Sequence, residues 1–103
     1  MLLVTINHIP GKEYEVLGMV KGAVVQSKHF GKDFMAGMKT LVGGEIVGYT
    51  EMITEARQIA TKRMVDEANA LGADAVVGVT YASSAVMQGA AEVMAYGTAV
   101  RYK

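Results

Sequence analysis

The clearest periodic pattern in the chain is an apolar stripe at helical spacing between Tyr49 and Leu71. Apolar residues recur there every three or four positions while charged residues occupy the opposite face, which predicts a long amphipathic helix. Thr50 is a candidate cap at its start, and Gly72 is the expected left-handed residue past its end. The predicted stripe consists of Met52 or Ile53, Ala56, Ile59 or Ala60, Met64, Ala68 and Leu71. We expect this face to lie against a sheet.

Four segments outside this helix have the patterns of strands. Leu2 to Ile6 is aliphatic and stops before a Pro-Gly turn, and Glu13 to Gln26 predicts one long strand that bends at its glycines. Asp74 to Val79 is apolar on both faces, so that each face needs a cover and the long helix can supply only one. Val93 to Tyr102 alternates as a final strand, paired with the previous one through Ser83 to Gly89.

A shorter helix is predicted between the second strand and the long helix. Apolar residues three and four apart begin after Lys32 and end at Val42, just before Gly43-Gly44, and predict a helix of about ten residues. The predicted element order is ββααββ. The fold class is therefore α+β, with a small, mostly antiparallel sheet and one long amphipathic helix. No stretch has the composition of a linker, so we expect a single domain over residues 1–103.

The composition narrows the partners and the compartment. Ten basic and ten acidic residues give a net charge of zero, which favours neither nucleic acid nor an anionic membrane as a partner. The chain has no cysteine and its start lacks the features of a signal peptide, so we expect a cytoplasmic protein. Hydrophobic residues make up 51% and charged residues 19%. This balance favours an apolar surface that meets another subunit.

The candidate metal ligands are His8, His29 and Glu45. The two histidines are 21 positions apart and would meet only if the fold brought them together; otherwise they are ordinary surface residues. Glu45, with Glu51 and Glu55, could bind a hard cation, although acids at a helix start are also explained by the helix dipole. The neighbouring glycines could hold an anion or form a turn. Any cofactor is therefore unknown, with a metal ion as the open possibility.

Eight methionines suggest two interpretations, a soft-metal site or core packing. Met52 and Met64 lie on the helix stripe, and Met35 and Met38 on the shorter one, which favours packing. Met87 and Met94, near a loop and on the final hairpin, are the methionines for which exposure decides between the two interpretations. The serines lack the G-x-S-x-G context of a nucleophile, and no other catalytic spacing is present. The sequence therefore predicts no catalytic residue and no enzyme.

Several stretches resemble the YbjQ-like family, which is labelled as a heavy-metal-binding domain. The resemblance runs through Val20 to Val25, Phe30 to Phe34, Val42 to Gly44, Leu71 to Val79 and Gly97 to Val100, and spans essentially the whole chain. It implies a bacterial or archaeal cytoplasmic protein with a dodecin-subunit-like fold that assembles into a ring of five. The heavy-metal label transfers no ligand, because the matching positions are mainly Gly, Ala and Val.

The resemblance also orders the functional hypotheses. The first is an oligomeric, non-enzymatic binding module that holds a metal ion or small ligand at subunit junctions. The second is a structural or interaction protein that forms a homo-oligomeric ring without a ligand, and an enzyme comes last. Under either of the first two hypotheses, a neighbouring subunit is expected to cover the second face of residues 75–79. The glycines within the resemblance are expected at positions where a side chain would collide with neighbouring atoms.

Overall fold

The computed structural model describes residues 1–27, 41–42 and 45–103. Within these residues there are six strands and one helix, arranged as a sheet with the helix packed across one face. The elements are β1 (Leu2–Leu3), β2 (Tyr14–Ser27), β3 (Leu41–Val42), β4 (Glu45–Ile46), α1 (Val47–Ala70), β5 (Ala75–Met87) and β6 (Ala90–Tyr102).

The main sheet has four strands in the order β1-β5-β6-β2. β1 runs parallel to β5, whereas β5 with β6 and β6 with β2 are antiparallel pairs. The α+β class and the mostly antiparallel sheet are therefore confirmed. β5 and β6 are 13 residues each and are joined at Gln88-Gly89. The predicted connection at Ser83 to Gly89 was too long, because most of it continues the hairpin despite its small and polar residues.

The predicted order ββααββ is wrong just before the long helix, at the expected end of the shorter predicted helix. Leu41 and Val42 form β3 and pair with Ile46 and Glu45 of β4 in an antiparallel ladder, so that four strands precede α1. The sequence here suits a short hairpin, because two apolar residues precede Gly43-Gly44 and the β-branched Ile46 follows. At Leu41 and Val42 this local pairing prevails over the helical spacing. The remainder of the predicted helix, from Lys32, lies outside the described residues, as do Met35 and Met38.

The helix stripe packs against the sheet as predicted along most of its length. Val20 of β2 and Val76 of β5 are fully buried in the same cluster. The buried stripe residues are Met52, Ala56, Ala60, Met64 and Ala68. Leu71 was wrongly included, because it lies past the helix end and is 45% exposed. Thr50 is not a cap either, since α1 already begins at Val47.

The end of α1 is closed by Gly72, as the sequence predicts. Gly72 has a φ of +79°. Its N–H donates to the carbonyl of Asn69 at 3.0 Å, and the N–H of Ala73 donates to the carbonyl of Ala68 at 3.1 Å. This pair of bonds is the Schellman arrangement, which satisfies carbonyls that the helix end leaves open. The chain then enters β5, where the Asp74 carboxylate accepts the Tyr102 N–H at 2.8 Å and ties the two strands together.

The second face of β5 is covered by the chain's own N-terminal segment. Ala75, Val77 and Val100 form a second buried cluster with Ile9, and Val4, Tyr14 and Tyr102 pack around it. The expectation that residues 75–79 need a neighbouring subunit is therefore wrong. The sequence pattern located an apolar second face correctly, but residues 4–14 cover it through contacts about 70 positions away, which no local pattern reveals.

Candidate functional site

A groove between α1 and β5 is a concave site that combines cationic, hydroxyl and apolar side chains. Its inner part is a cavity of about 80 Å³ lined by Ile53, Arg57, Tyr81, Ala82, Ser83 and Val93. Its outer part is a wider opening of about 400 Å³ lined by Arg57, Gln58, Thr61, Lys62 and Tyr81. Arg57 and Tyr81 line both parts, so the two parts are adjacent along one surface groove. We refer to it below as the arginine groove.

The helix and the sheet each contribute one wall of the arginine groove. Ile53, Arg57 and Thr61 are four residues apart, so they lie along one side of α1. Tyr81 pairs across the hairpin with Ala95, and Ser83 pairs with Val93. Cross-strand partners share a face of the sheet, and both partners are buried against the helix. The strand register therefore places Tyr81 and Ser83 opposite the helix wall.

A short hydrogen-bond chain joins the two walls. The Thr61 hydroxyl donates to the Arg57 backbone carbonyl at 2.7 Å, and the Thr61 and Tyr81 hydroxyl oxygens are 2.8 Å apart. Because the Thr61 proton is used on the carbonyl, the Tyr81 hydroxyl is the donor between the two side chains. Both hydroxyl protons are then committed within the protein. The remaining donors of the inner cavity are the Arg57 guanidinium and the Ser83 hydroxyl.

The charged side chains of the arginine groove are both cations. Lys62 forms an ion pair with Asp66, one turn along the helix, at 2.9 Å. Arg57 is exposed and has no ion pair with another described residue. Neither lining set contains an acid among the described residues. The groove therefore favours an anionic group over a metal cation.

The structure describes the side chains of three sequence-predicted ligands, which are Glu51 and Glu55, both exposed on α1, and His8. His8 lies in the exposed N-terminal segment, where its Nδ1 is 3.3 Å from the Tyr14 hydroxyl and the two rings are 6.1 Å apart. His29 and the side chain of Glu45 lie outside the described residues, although the Glu45 backbone belongs to β4. The structure therefore leaves these two candidates as predictions.

The described residues do not fit a heavy-metal centre. Over the ranges 1–27, 41–42 and 45–103, no three His, Cys, Asp or Glu residues are close enough to share an ion. Met52 and Met64 are buried in the apolar core, as predicted, where each is at most 2% exposed. Of the two methionines near the final hairpin, Met87 is exposed and Met94 is half-buried. Scattered single thioethers do not assemble the several ligands that a metal site needs.

The sheet face away from α1 carries exposed apolar side chains. Side chains alternate along β2, so that Val20 and Gly22 face the helix while Met19 and Val25 face the other way. Met19 is 71% exposed and Val25 is 62% exposed. On β6, the same face carries Met94 and the exposed Tyr96, and two charged residues, Lys21 and Glu92, lie among these apolar side chains. We call the face formed by Met19, Val25, Met94 and Tyr96 the open face.

The outer edge of β2 is blocked by side chains from the helix. The Lys21 N–H donates to Glu67 Oε1 at 3.1 Å, and Arg63 Nη1 donates to the Ala23 carbonyl at 2.7 Å. These two backbone groups point away from β6 and would otherwise be free to pair with another strand. The contacts therefore protect the middle of this edge and leave the open face as the larger exposed feature of β2.

Sequence comparison places the chain in a family. The family model described as "Putative heavy-metal-binding", of the YbjQ family, matches residues 1–103. The chain belongs to the YbjQ family. A UPF0145 protein from Clostridium novyi is 61% identical over 101 residues, covering 98% of both chains. A UPF0145 protein from Alkaliphilus metalliredigens is 60% identical over 102 residues, covering 99% of both.

A solved structure supports the fold of this YbjQ-family chain. The crystal structure of a protein of unknown function from Pediococcus pentosaceus superposes with a TM-score of 0.66. The match covers 100% of this chain and 98% of that one, at 18% identity. At this identity the likeness concerns the fold alone. In the described part of the chain, no helix combines the length and apolar character needed to cross a membrane.

Sequence reasoning missed the arginine groove. Arg57 and Thr61 belong to the polar face of α1, where charged and hydroxyl side chains are ordinarily solvated. Their spacing of four residues indicates that they share one side of the helix, and Tyr81 follows the predicted strand. Nothing local shows that the strand continues to Met87 and brings Tyr81 against Thr61. The helical spacing was thus a usable signal for one wall only.

Proposed function

We propose that this YbjQ-family protein is a homo-oligomeric binding module that buries its open face against another copy of itself. The observation that carries the proposal is the exposure of Met19 and Val25 on the face of the sheet that α1 does not cover. Large apolar side chains that share an exposed face are typical of interaction sites. The resemblance supplies the expected form of the assembly, a ring of five subunits with a dodecin-like subunit.

The surface area of the chain supports a second copy as the occupant. The chain exposes 6419 Å², whereas a monomer of 10.9 kDa is expected to expose about 5,600 Å². The excess of about 800 Å² is close to the area that one partner buries in a standard protein interface. A subunit that contacts a copy of itself would remove this excess.

The ligand of the proposed module is a metal ion or a small molecule held where subunits meet. His8, together with His29 and Glu45, supplies the donors that this proposal offers for a metal. Pairing between subunits would be needed, since the described residues of one chain assemble no metal site. The cytoplasm is the compartment we propose, because a chain without cysteine has no disulfide to lose under reducing conditions. The proposal assigns no catalytic residue.

Native mass spectrometry of untagged protein tests assembly and ligand together. We expect a single oligomer that carries a bound metal or small molecule in a fixed ratio to subunits. An oligomer that retains nothing across a broad panel of metals would favour the alternative, a ring that serves only as a structural or interaction protein. The variant His8→Ala should lower metal retention if His8 is a ligand, whereas Lys12→Ala, in the same segment, should not.

A further inference from the structure

We propose that the arginine groove binds a small monocarboxylate, with the carboxylate on Arg57 and a short apolar tail in the inner cavity. Every group in this site belongs to one chain, so the inference is independent of the proposed assembly. Neither the family description nor the names of the relatives assigns a function to this groove.

The charge of the groove selects an anion. Arg57 supplies a planar guanidinium whose N–H groups match the two oxygens of a carboxylate. Lys62 already has a carboxylate partner in Asp66, which leaves Arg57 as the main binding group. The described lining residues include no acid that would repel the ligand.

The hydrogen-bond chain across the groove determines which donors remain. Since the hydroxyl protons of Tyr81 and Thr61 are committed to Thr61 and the Arg57 carbonyl, neither donates to a ligand in this arrangement. The Ser83 hydroxyl, next along the same side of β5, is the second donor. Two donor groups satisfy one carboxylate. A phosphate dianion, with more oxygens and more charge, would be left less completely paired.

The apolar side chains of the inner cavity select a ligand with a short tail. Ile53 is half-buried and Val93 is 3% exposed, and both line the cavity of about 80 Å³. This space accommodates a few carbon atoms. The expected gain is roughly fourfold in affinity for each methylene that becomes fully buried. A three-carbon tail should therefore bind more tightly than a methyl group.

Ligand-observed saturation-transfer NMR on the intact protein tests the inference, with butyrate as the probe and acetate and inorganic phosphate as comparisons. We expect butyrate to bind about tenfold more tightly than acetate, and phosphate not to displace it at equal concentration. Arg57→Gln should weaken butyrate binding at least tenfold, because a charged hydrogen-bonding group is lost. The matched control Lys62→Gln, on the same helix, should change the Kd less than twofold.

Each alternative outcome overturns the inference in a recognisable way. Equal binding of phosphate and butyrate would indicate a plain cationic surface, as would equal effects of Arg57→Gln and Lys62→Gln. Undetectable butyrate binding to folded wild-type protein would exclude the site. The variant Met19→Lys, which lies on the open face, should leave butyrate binding unchanged even if it alters assembly. Failure of the proposed assembly is therefore distinguishable from failure of the carboxylate site.

Discussion

The substitution Gly22→Ala tests how closely α1 lies on the sheet. A Cβ atom built at Gly22 lies 2.2 Å from the Ala60 carbonyl oxygen and 2.4 Å from the Met64 backbone nitrogen. Both contacts are about 1 Å shorter than ordinary separations, and both are with the backbone. No side-chain rotation can relieve them. The helix must therefore move away from β2 by about 1 Å to admit one methyl group.

The cost of that movement follows from the side chains packed at the contact. Val20, Ala60 and Met64 are fully buried there. A gap of about 0.5–1 Å forfeits a quarter to a half of the attraction between packed atoms. Burial of a Val or Met side chain contributes about 1.5–3 kcal/mol. Subtracting the small gain from replacing glycine in the unfolded chain, we expect a loss of about 1–2 kcal/mol in the free energy of unfolding.

Urea denaturation followed by circular dichroism measures this loss, at several protein concentrations because assembly would contribute to stability. A double variant with Ala60→Gly sharpens the test. Removing the Ala60 methyl leaves the clashing carbonyl in place, so the double variant should be no more stable than Gly22→Ala alone. A Gly22→Ala protein within about 0.5 kcal/mol of wild type would refute the close contact between helix and strand. Rescue by Ala60→Gly would assign the clash to side chains instead.

Three further substitutions test other parts of the fold, each by the same denaturation assay. Val77→Asp should cost about 4 kcal/mol or more, because it buries an unpaired charge, and a well-folded variant would contradict the burial of this position. Thr80→Asp, on the exposed part of the same strand, should cost only about 1–1.5 kcal/mol, for the lost hydrogen bond to the Gly78 carbonyl and the poor strand propensity of Asp. Ile9→Ala should cost about 2–3 kcal/mol, because it removes a buried side chain that packs on β5. Ile6→Ala, at an exposed residue, should cost less than about 1 kcal/mol, and equal losses would argue against the packing of Ile9 on β5. Gly72→Ala should cost about 1–2 kcal/mol because of its positive φ, and an unchanged stability would contradict the left-handed cap.

Local patterns in the sequence predict the long helix well because its causes are local. The apolar spacing from Met52 to Ala68 and the capping glycine at Gly72 lie within one segment, and each has one dominant structural solution. The error at Leu71 has the same origin. Periodicity alone continues the stripe, whereas the chain leaves the helix at that residue.

Features that depend on distant contacts could not be predicted in the same way. Ile9 packs on β5 because the N-terminal segment that carries it also pairs with β5 through β1. The pairing of β5 with β6 continues through small and polar residues that locally resemble a loop. The arginine groove depends on the continued hairpin, since Tyr81 meets Thr61 across 20 positions of sequence.

The glycines are an intermediate case. The expectation of collisions is confirmed at Gly22 and at Gly97, where a Cβ would lie 2.7 Å from Val76 Cγ1, although the sequence does not identify the neighbours.

Light scattering of the eluting native protein tests the proposed assembly most directly. At micromolar concentration, we expect a molar mass several times that of one chain, with five subunits as the ring size that the resemblance implies. Met19→Lys, on the open face, should lower that mass, whereas Leu71→Lys, which likewise places a lysine at an exposed apolar residue but beyond the helix end, should not. A wild-type protein that elutes as a monomer would contradict the burial of the open face between copies.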